Sequence, residues 1–197
     1  MLPASLSADG PYRRVNTSLW SRVGRAAWSV VWLCLFRPTP RPLHAWRAGL
    51  LSLFGARLGR GCHIYAGARI WAPWNLACGD GVAIADGAEV YNPAPVSLGH
   101  HAVVSQQAFL CAASHDYGDP AFPMIVAPIR IGAYAWIGSR ASVQMGVTIG
   151  DGAVLALGAI ATGNLDPWAV HGGIPARRLK SRPRLYGANA NSAGEAP

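Results

Sequence analysis

The sequence predicts a mainly β fold, a parallel β-helix of about five coils, and three observations predict it. Residues 131–160 divide into consecutive six-residue units, each opened by a branched apolar residue: Ile131, Ile137, Val143, Ile149 and Leu155. Four places after each opener stands a small or β-branched residue: Ala135, Ala141, Val147, Ala153 and Ala159. A period of six fits neither the spacing of a helix face nor the alternation of a lone strand. It fits a solenoid in which each rung turns one apolar side chain inward and then bends. The third observation is that the ladder extends backwards. Openers fall at Leu58, Ile64, Ile70, then Cys78, Ile84, Val90, then Leu98, Val104, Leu110, and after Leu155 at Ala161.

Taken in order, residues 1–17 are polar and predicted to be poorly ordered. Ser18 to Phe36 reads as an aromatic, basic helix, with Trp20, Trp28 and Trp32 among Arg22, Arg25 and Arg37. Its apolar run, Ala26 to Phe36, falls short of the ~20 residues that span a bilayer. It also lacks the order of parts of a cleavable leader. The proline-rich hinge Arg37-Pro-Thr-Pro-Arg-Pro42 follows, then a second amphipathic segment from Leu43 to Leu58 with Trp46 and Arg47. Residues 1–57 therefore form an N-terminal segment with two compatible roles. One is a cap on the open end of the solenoid; the other is a basic, Trp-bearing contact with a membrane surface through residues 18–57.

The solenoid occupies residues 58–182. Its breaks come only after every third rung: steps of 20, 20 and 33 residues separate Leu58, Cys78, Leu98 and Ile131, and a clean 18 leads to Ile149. Every insertion thus falls at one corner of the prism, as expected of a binding face. The longest is a lid loop, residues 116–130, with three prolines and the apolar Tyr117, Phe122, Met124 and Ile125. Loops of this length in a compact domain are unusual without a function. His115 stands at its base beside Asp116. An imidazole there can take a proton from a hydroxyl near neutral pH. His44, His63, His100 and His101 lack that setting and read as surface residues. Residues 183–197 read as a disordered tail.

Composition narrows the partners. The net charge of +8 favours phosphates, nucleic acid or an anionic membrane, but the basic residues form no aromatic groove for nucleic acid. Cys34, Cys62, Cys78 and Cys111 contain no C-x-x-C pair and read as buried reduced thiols, which suits a cytoplasmic protein, at the inner face of the membrane if the N-terminal segment binds lipid. No spacing spells a metal site.

The hexapeptide units, Ser114-His115-Asp116 and Val170-His-Gly-Gly-Ile-Pro-Ala-Arg177 resemble the left-handed β-helix acetyltransferases. Ala72-Pro-Trp-Asn-Leu, Tyr91-Asn-Pro-Ala-Pro-Val and Ser105-Gln-Gln-Ala-Phe-Leu-Cys narrow the resemblance to the colanic-acid biosynthesis acetyltransferases, relatives of the galactoside and maltose enzymes. It spans roughly Pro40 to Arg182. The resemblance implies a left-handed coil, a homotrimer with sites between prisms, and acetyl transfer from acetyl-CoA, without a metal, to a sugar or a lipid-linked oligosaccharide. It implies His115 as general base, with acceptor contacts at Asn92, Trp136 and Asp116. The acetyl-CoA contacts it implies are Ser139, Leu157, Thr162, Arg177, Arg178 and Lys180, the last three in a short C-terminal helix. Thr162-Gly163-Asn164 departs from the usual Thr-Lys-Asp and removes one basic contact. Two other classes compete. One is a further acyltransferase of the same fold, acting on the amine of a nucleotide sugar or on serine. The other is a non-enzymatic scaffold, for which the lid and its His would have no use.

Overall fold

The structure, a computed structural model, describes residues 13–14 and 19–184. Rungs of two or three residues stack in parallel on three flat faces. The first face pairs Leu58, Cys78, Leu98, Ile131 and Ile149 in register. The second pairs Ile64, Ile84, Val104, Ile137 and Leu155, and the third pairs Ile70, Val90, Leu110, Val143 and Ala161. These are the openers of the sequence ladder. All but Leu58 are buried, because a residue whose neighbours point outward has only the prism interior to fill. Ala68, Ala88, Ala108, Ala141 and Ala159, four places on from the second-face openers, are buried at a corner too tight for a larger side chain.

Five coils are complete and a sixth begins. Leu165 bridges to Ile149, and the strand Ala169–Gly172 continues the second face, with His171 registered on Leu155. The expected C-terminal helix is a strand instead. Arg177–Ser181 runs antiparallel to Ala169–Gly172, since the open edge of the last coil offers backbone donors and acceptors that a helix would leave unpaired. Arg182 closes this end, its Nη1 donating to the carbonyls of Tyr134 and Gly152, both at 2.9 Å.

The other open end is sealed by the N-terminal segment. Helix α1 (Leu19–Val31) runs into a π-helical turn, Trp32–Phe36, and α2 spans His44–Leu53. The indole N–H groups of Trp28 and Trp32 donate to the edge carbonyls of Ile70 (2.7 Å) and Ala68 (2.9 Å). Phe36 and Leu51, both fully buried, close the mouth of the prism. Arg47, which reads in the sequence as part of a basic surface, is also fully buried. Its Nε donates to the Ile64 carbonyl at 2.6 Å, Nη1 to Thr39 Oγ1 and the Pro40 carbonyl, and Nη2 to the Arg41 carbonyl. One guanidinium thereby pins the proline hinge and α2 to the first coil. The side chain of Trp20 lies outside the described set. Cys34 is exposed and Cys111 half-buried, so only Cys62 and Cys78 match the expected buried thiols.

The insertions share the corner between the third and first faces. The longest is an ordered hairpin: Ala113–His115 pairs antiparallel with Met124–Val126. Arg13–Arg14, in a stretch expected to lack order, adds a third strand against Ile125 and Val126. The rest of residues 1–17, and the tail beyond residue 184, lie outside the described residues.

Candidate active site

His115 ends the first hairpin strand, exposed at the elaborated corner. Its ring stacks on Phe122 at 4.5 Å with 7° between planes, and Nδ1 lies 2.9 Å from the Phe122 carbonyl. A carbonyl only accepts, so Nδ1 carries a proton, and in the neutral ring Nε2 is the nitrogen able to accept one. The lid thus orients the ring through Phe122. The apolar residues of the lid signalled a packing role; the carbonyl contact had no signal in sequence. Asp116 is turned into the loop, where its Oδ1 accepts from Gly118 N at 3.1 Å.

Beneath the hairpin base, on the outer surface of the third face, lies a cavity of about 310 Å³. Phe109, Cys111, Ser114, Ser142, Gln144 and Ile160 contribute to its wall. Its far end meets the edge that carries the expected acetyl-CoA contacts. Ser139 and Leu157 stand in adjacent coils of one corner, joined by Gly158 N donating to the Ser139 carbonyl at 3.0 Å. Ala176 N donates to the Ile160 carbonyl at 2.7 Å, which brings Arg177 to the same edge. Leu157 is 76 % exposed, an apolar side chain left uncovered beside the cationic strand. Thr162 lies at the opposite end of the Ile160–Ala161 rung, exposed. Arg178 donates to Ser181 Oγ at 2.9 Å, and Lys180 pairs at backbone level with Val170.

Two expected contacts are placed elsewhere. Asn92 is fully buried, its amide spent on Ala72: Oδ1 accepts from Ala72 N and Nδ2 donates to Ala72 O, both at 2.9 Å. It clasps two neighbouring coils at the insertion corner and presents nothing to an acceptor. Trp136 lies on the second face, its Nε1 donating to Ser105 Oγ at 2.8 Å. There it lines a separate cavity of about 560 Å³ with His101, Tyr134 and Arg182. Within one chain Trp136 and His115 occupy different sides of the prism. His171, absent from the sequence-derived site list, is buried at an inward ladder position with no partner for Nδ1 among the described residues. No group of three His, Cys, Asp or Glu side chains suited to a metal occurs among the described residues.

Residues 128–162 match the family model described as "Hexapeptide repeat of succinyl-transferase". The chain is 36 % identical over 155 residues to the "Putative colanic acid biosynthesis acetyltransferase WcaF" of Escherichia coli (strain K12), covering 79 % of this chain and 85 % of that one. Galactoside O-acetyltransferase of the same organism is 28 % identical over 123 residues, covering 61 % of this chain and 55 % of the relative. A hexapeptide-repeat-containing acetyltransferase from Vibrio cholerae O1 biovar eltor, solved in complex with acetyl coenzyme A, superposes with a TM-score of 0.75 at 26 % identity. That match covers 85 % of this chain and 91 % of the other.

Proposed function

Since the chain belongs to the hexapeptide-repeat acetyltransferases, we propose that it transfers an acetyl group from acetyl-CoA to a hydroxyl of a sugar used in exopolysaccharide synthesis. The observation that carries the proposal is the orientation of His115. The Phe122 carbonyl holds its Nδ1–H and leaves Nε2 as the basic nitrogen, one residue along the strand from Ser114 in the wall of the 310 Å³ cavity. The acceptor hydroxyl gives its proton to Nε2 while its oxygen attacks the thioester carbonyl carbon. The C–S bond then breaks, and the thiolate leaves with the proton carried by the imidazolium. The products are an acetyl ester and CoA. General-base assistance of this kind contributes about 10²–10⁴-fold in rate.

The acetyl-CoA arm would run along the Ser139–Leu157 corner, its phosphates within reach of Arg177, Arg178 and Lys180, since arginine grips phosphate with paired donors. Thr162 would border the arm from the other end of its rung. A site that holds both Trp136 and His115 requires two copies of the prism, which supports a homotrimer with shared sites. Asp116 reaches an acceptor in this reading only if its turn with Gly118 opens.

The N-terminal segment supports action at an anionic membrane surface, on a lipid-linked acceptor. Leu19, Val23, Val30 and Leu33 lie exposed on one side of α1 and its continuation, with Leu35, Leu43 and Trp46 exposed nearby. Residues 10–79 contain no acid, and Arg22, Arg37 and Arg41 are exposed among these apolar side chains. Arginine near such a surface gains about 1 kcal/mol each. No helix among the described residues is long and apolar enough to cross a membrane.

The test is a mass-spectrometric screen of purified protein with acetyl-CoA against exopolysaccharide oligomers. A gain of one acetyl mass per modified sugar is expected. CoA release without an acetylated sugar, or acetylation of amines alone, would contradict the reading. Salt-sensitive co-sedimentation with anionic liposomes, lost in a chain starting at Leu58, tests the membrane contact; equal pelleting of both chains would contradict it.

A further inference from the structure

A second recess opens on the third face, between α1 and the first two coils. It has a volume of about 340 Å³ and is lined by Arg25, Trp28, Trp32, Arg69, Trp71 and Glu89, among others. That volume lies within the ~300–1,000 Å³ of small-molecule sites. Its wall is aromatic and charged together. Arg25 lies over the Trp71 ring at 4.2 Å, Arg69 over Trp32 at 5.5 Å, and Trp71 meets Tyr91 edge-on at 5.2 Å. Arg69 and Glu89 are register partners on adjacent strands. The Glu89 carboxylate has neither a hydrogen bond nor an ion pair among the described residues.

The recess continues towards the cavity beside His115. Trp71, directly after its strand, donates its backbone N–H to Val90 and so stands beside Tyr91, which is registered on Cys111. Glu89 is registered on Phe109. Phe109 and Cys111 in turn line the cavity that holds Ser114. Successive strands are ~4.8 Å apart, so Trp71 lies roughly 10 Å from Cys111 along one surface. Side chains of Trp71, Tyr91 and Phe109 therefore mark a path from α1 to the hairpin base.

We propose that the outer surface of the third face is a glycan track, and that the Arg25–Trp71–Glu89 recess holds sugar units beyond the one acetylated at His115. The ligand class follows from the wall. Aromatic rings accept the C–H faces of a sugar, guanidinium groups donate to its oxygens, and an unengaged carboxylate accepts from its hydroxyls. A phosphate or carboxylate ligand would meet Glu89 on the same wall as the two arginines. The track rests on the sugar-acetylating reading and sharpens it: the acceptor is an oligosaccharide rather than a free monosaccharide.

The test compares Trp71→Ala and Glu89→Ala with wild type on two acceptors, oligosaccharides released from colanic acid by partial hydrolysis and their free constituent monosaccharides. Binding is followed separately by intrinsic tryptophan fluorescence without acetyl-CoA. Glu89 is exposed, so its replacement leaves the fold intact even if that of Trp71 does not. KM for the oligosaccharides should rise about tenfold in both variants, while KM for monosaccharides and for acetyl-CoA stays within about twofold. His115→Ala should still bind the oligosaccharides. Equal losses on both acceptors, no loss on either, or no oligosaccharide binding by wild type would overturn the track. Wild type that binds oligosaccharides in a Glu89-dependent way but acetylates no sugar would leave the track standing and remove the acetyl-transfer reading instead.

Discussion

Replacing Arg47 by leucine should cost about 3–5 kcal/mol of stability, because it leaves four acceptors without their donor, at ~1–3 kcal/mol for each buried group left unsatisfied. The magnitude follows from what the guanidinium holds. Four acceptors, on Thr39, Pro40, Arg41 and Ile64, receive its N–H groups at 2.6–3.0 Å. Hydrogen bonds from a charged donor are worth ~1.5–3 kcal/mol each, a gross loss of roughly 6–12. Leucine also relieves the desolvation of a buried charge, which offsets several kcal/mol of that loss. Burial lowers the pKa of Arg47, with Asp86 opposing, so desolvation is present but the charge is kept. Urea unfolding followed by tryptophan fluorescence would read the change. Chymotrypsin would report locally at Phe36–Arg37 and Leu43–His44, the bonds that flank the hinge, which should become cleavable once it is freed. A loss under about 1 kcal/mol, with the hinge still protected, would refute the reasoning and assign the cap to apolar contacts alone.

Two further predictions concern reactivity and affinity. Burial pushes the Cys78 thiol far above its ordinary pKa and raises those of Cys62 and Cys111; raised values mean a scarce thiolate near pH 8, so Ellman's reagent should label exposed Cys34 first and Cys78 only on unfolding. Cys34→Ser should abolish the fast phase, and its persistence would contradict the placement of these thiols. Arg177→Ala with Arg178→Ala should raise KM for acetyl-CoA about tenfold or more, with the acceptor KM little changed; an effect on the acceptor alone would put the phosphates elsewhere.

The ladder was legible because a six-residue period is a direct image of backbone geometry. Ile64, Ile84, Val104, Ile137 and Leu155 pair in the register that their spacing predicts. The elaborated corner was legible for the same reason, since insertions reveal themselves as breaks in a count. Side chains that act across distance were not. Arg47 and the surface arginines look alike in sequence, and only the hinge that folds back over Arg47 buries it. Asn92 offers an amide that suits an acceptor or a backbone clasp equally well; Ala72, one coil away, decides for the clasp. The sequence Arg177–Ser181 carries helix-forming residues, but the open edge next to Ala169–Gly172 overrides propensity, as tertiary context commonly does. His115 was legible as a candidate from its place at the corner, whereas the Phe122 carbonyl that orients its ring became visible only once the hairpin was built.

Whether His115 removes the proton from the acceptor can be read from one comparison. Acetylated sugar formed per second by wild type and by His115→Ala would be measured with saturating acetyl-CoA, alongside acetyl-CoA binding by calorimetry. A fall in kcat of about 10²–10⁴-fold with acetyl-CoA affinity unchanged is expected, because the imidazole acts on the hydroxyl and not on the thioester's carrier. Turnover near the wild-type rate in His115→Ala would contradict it.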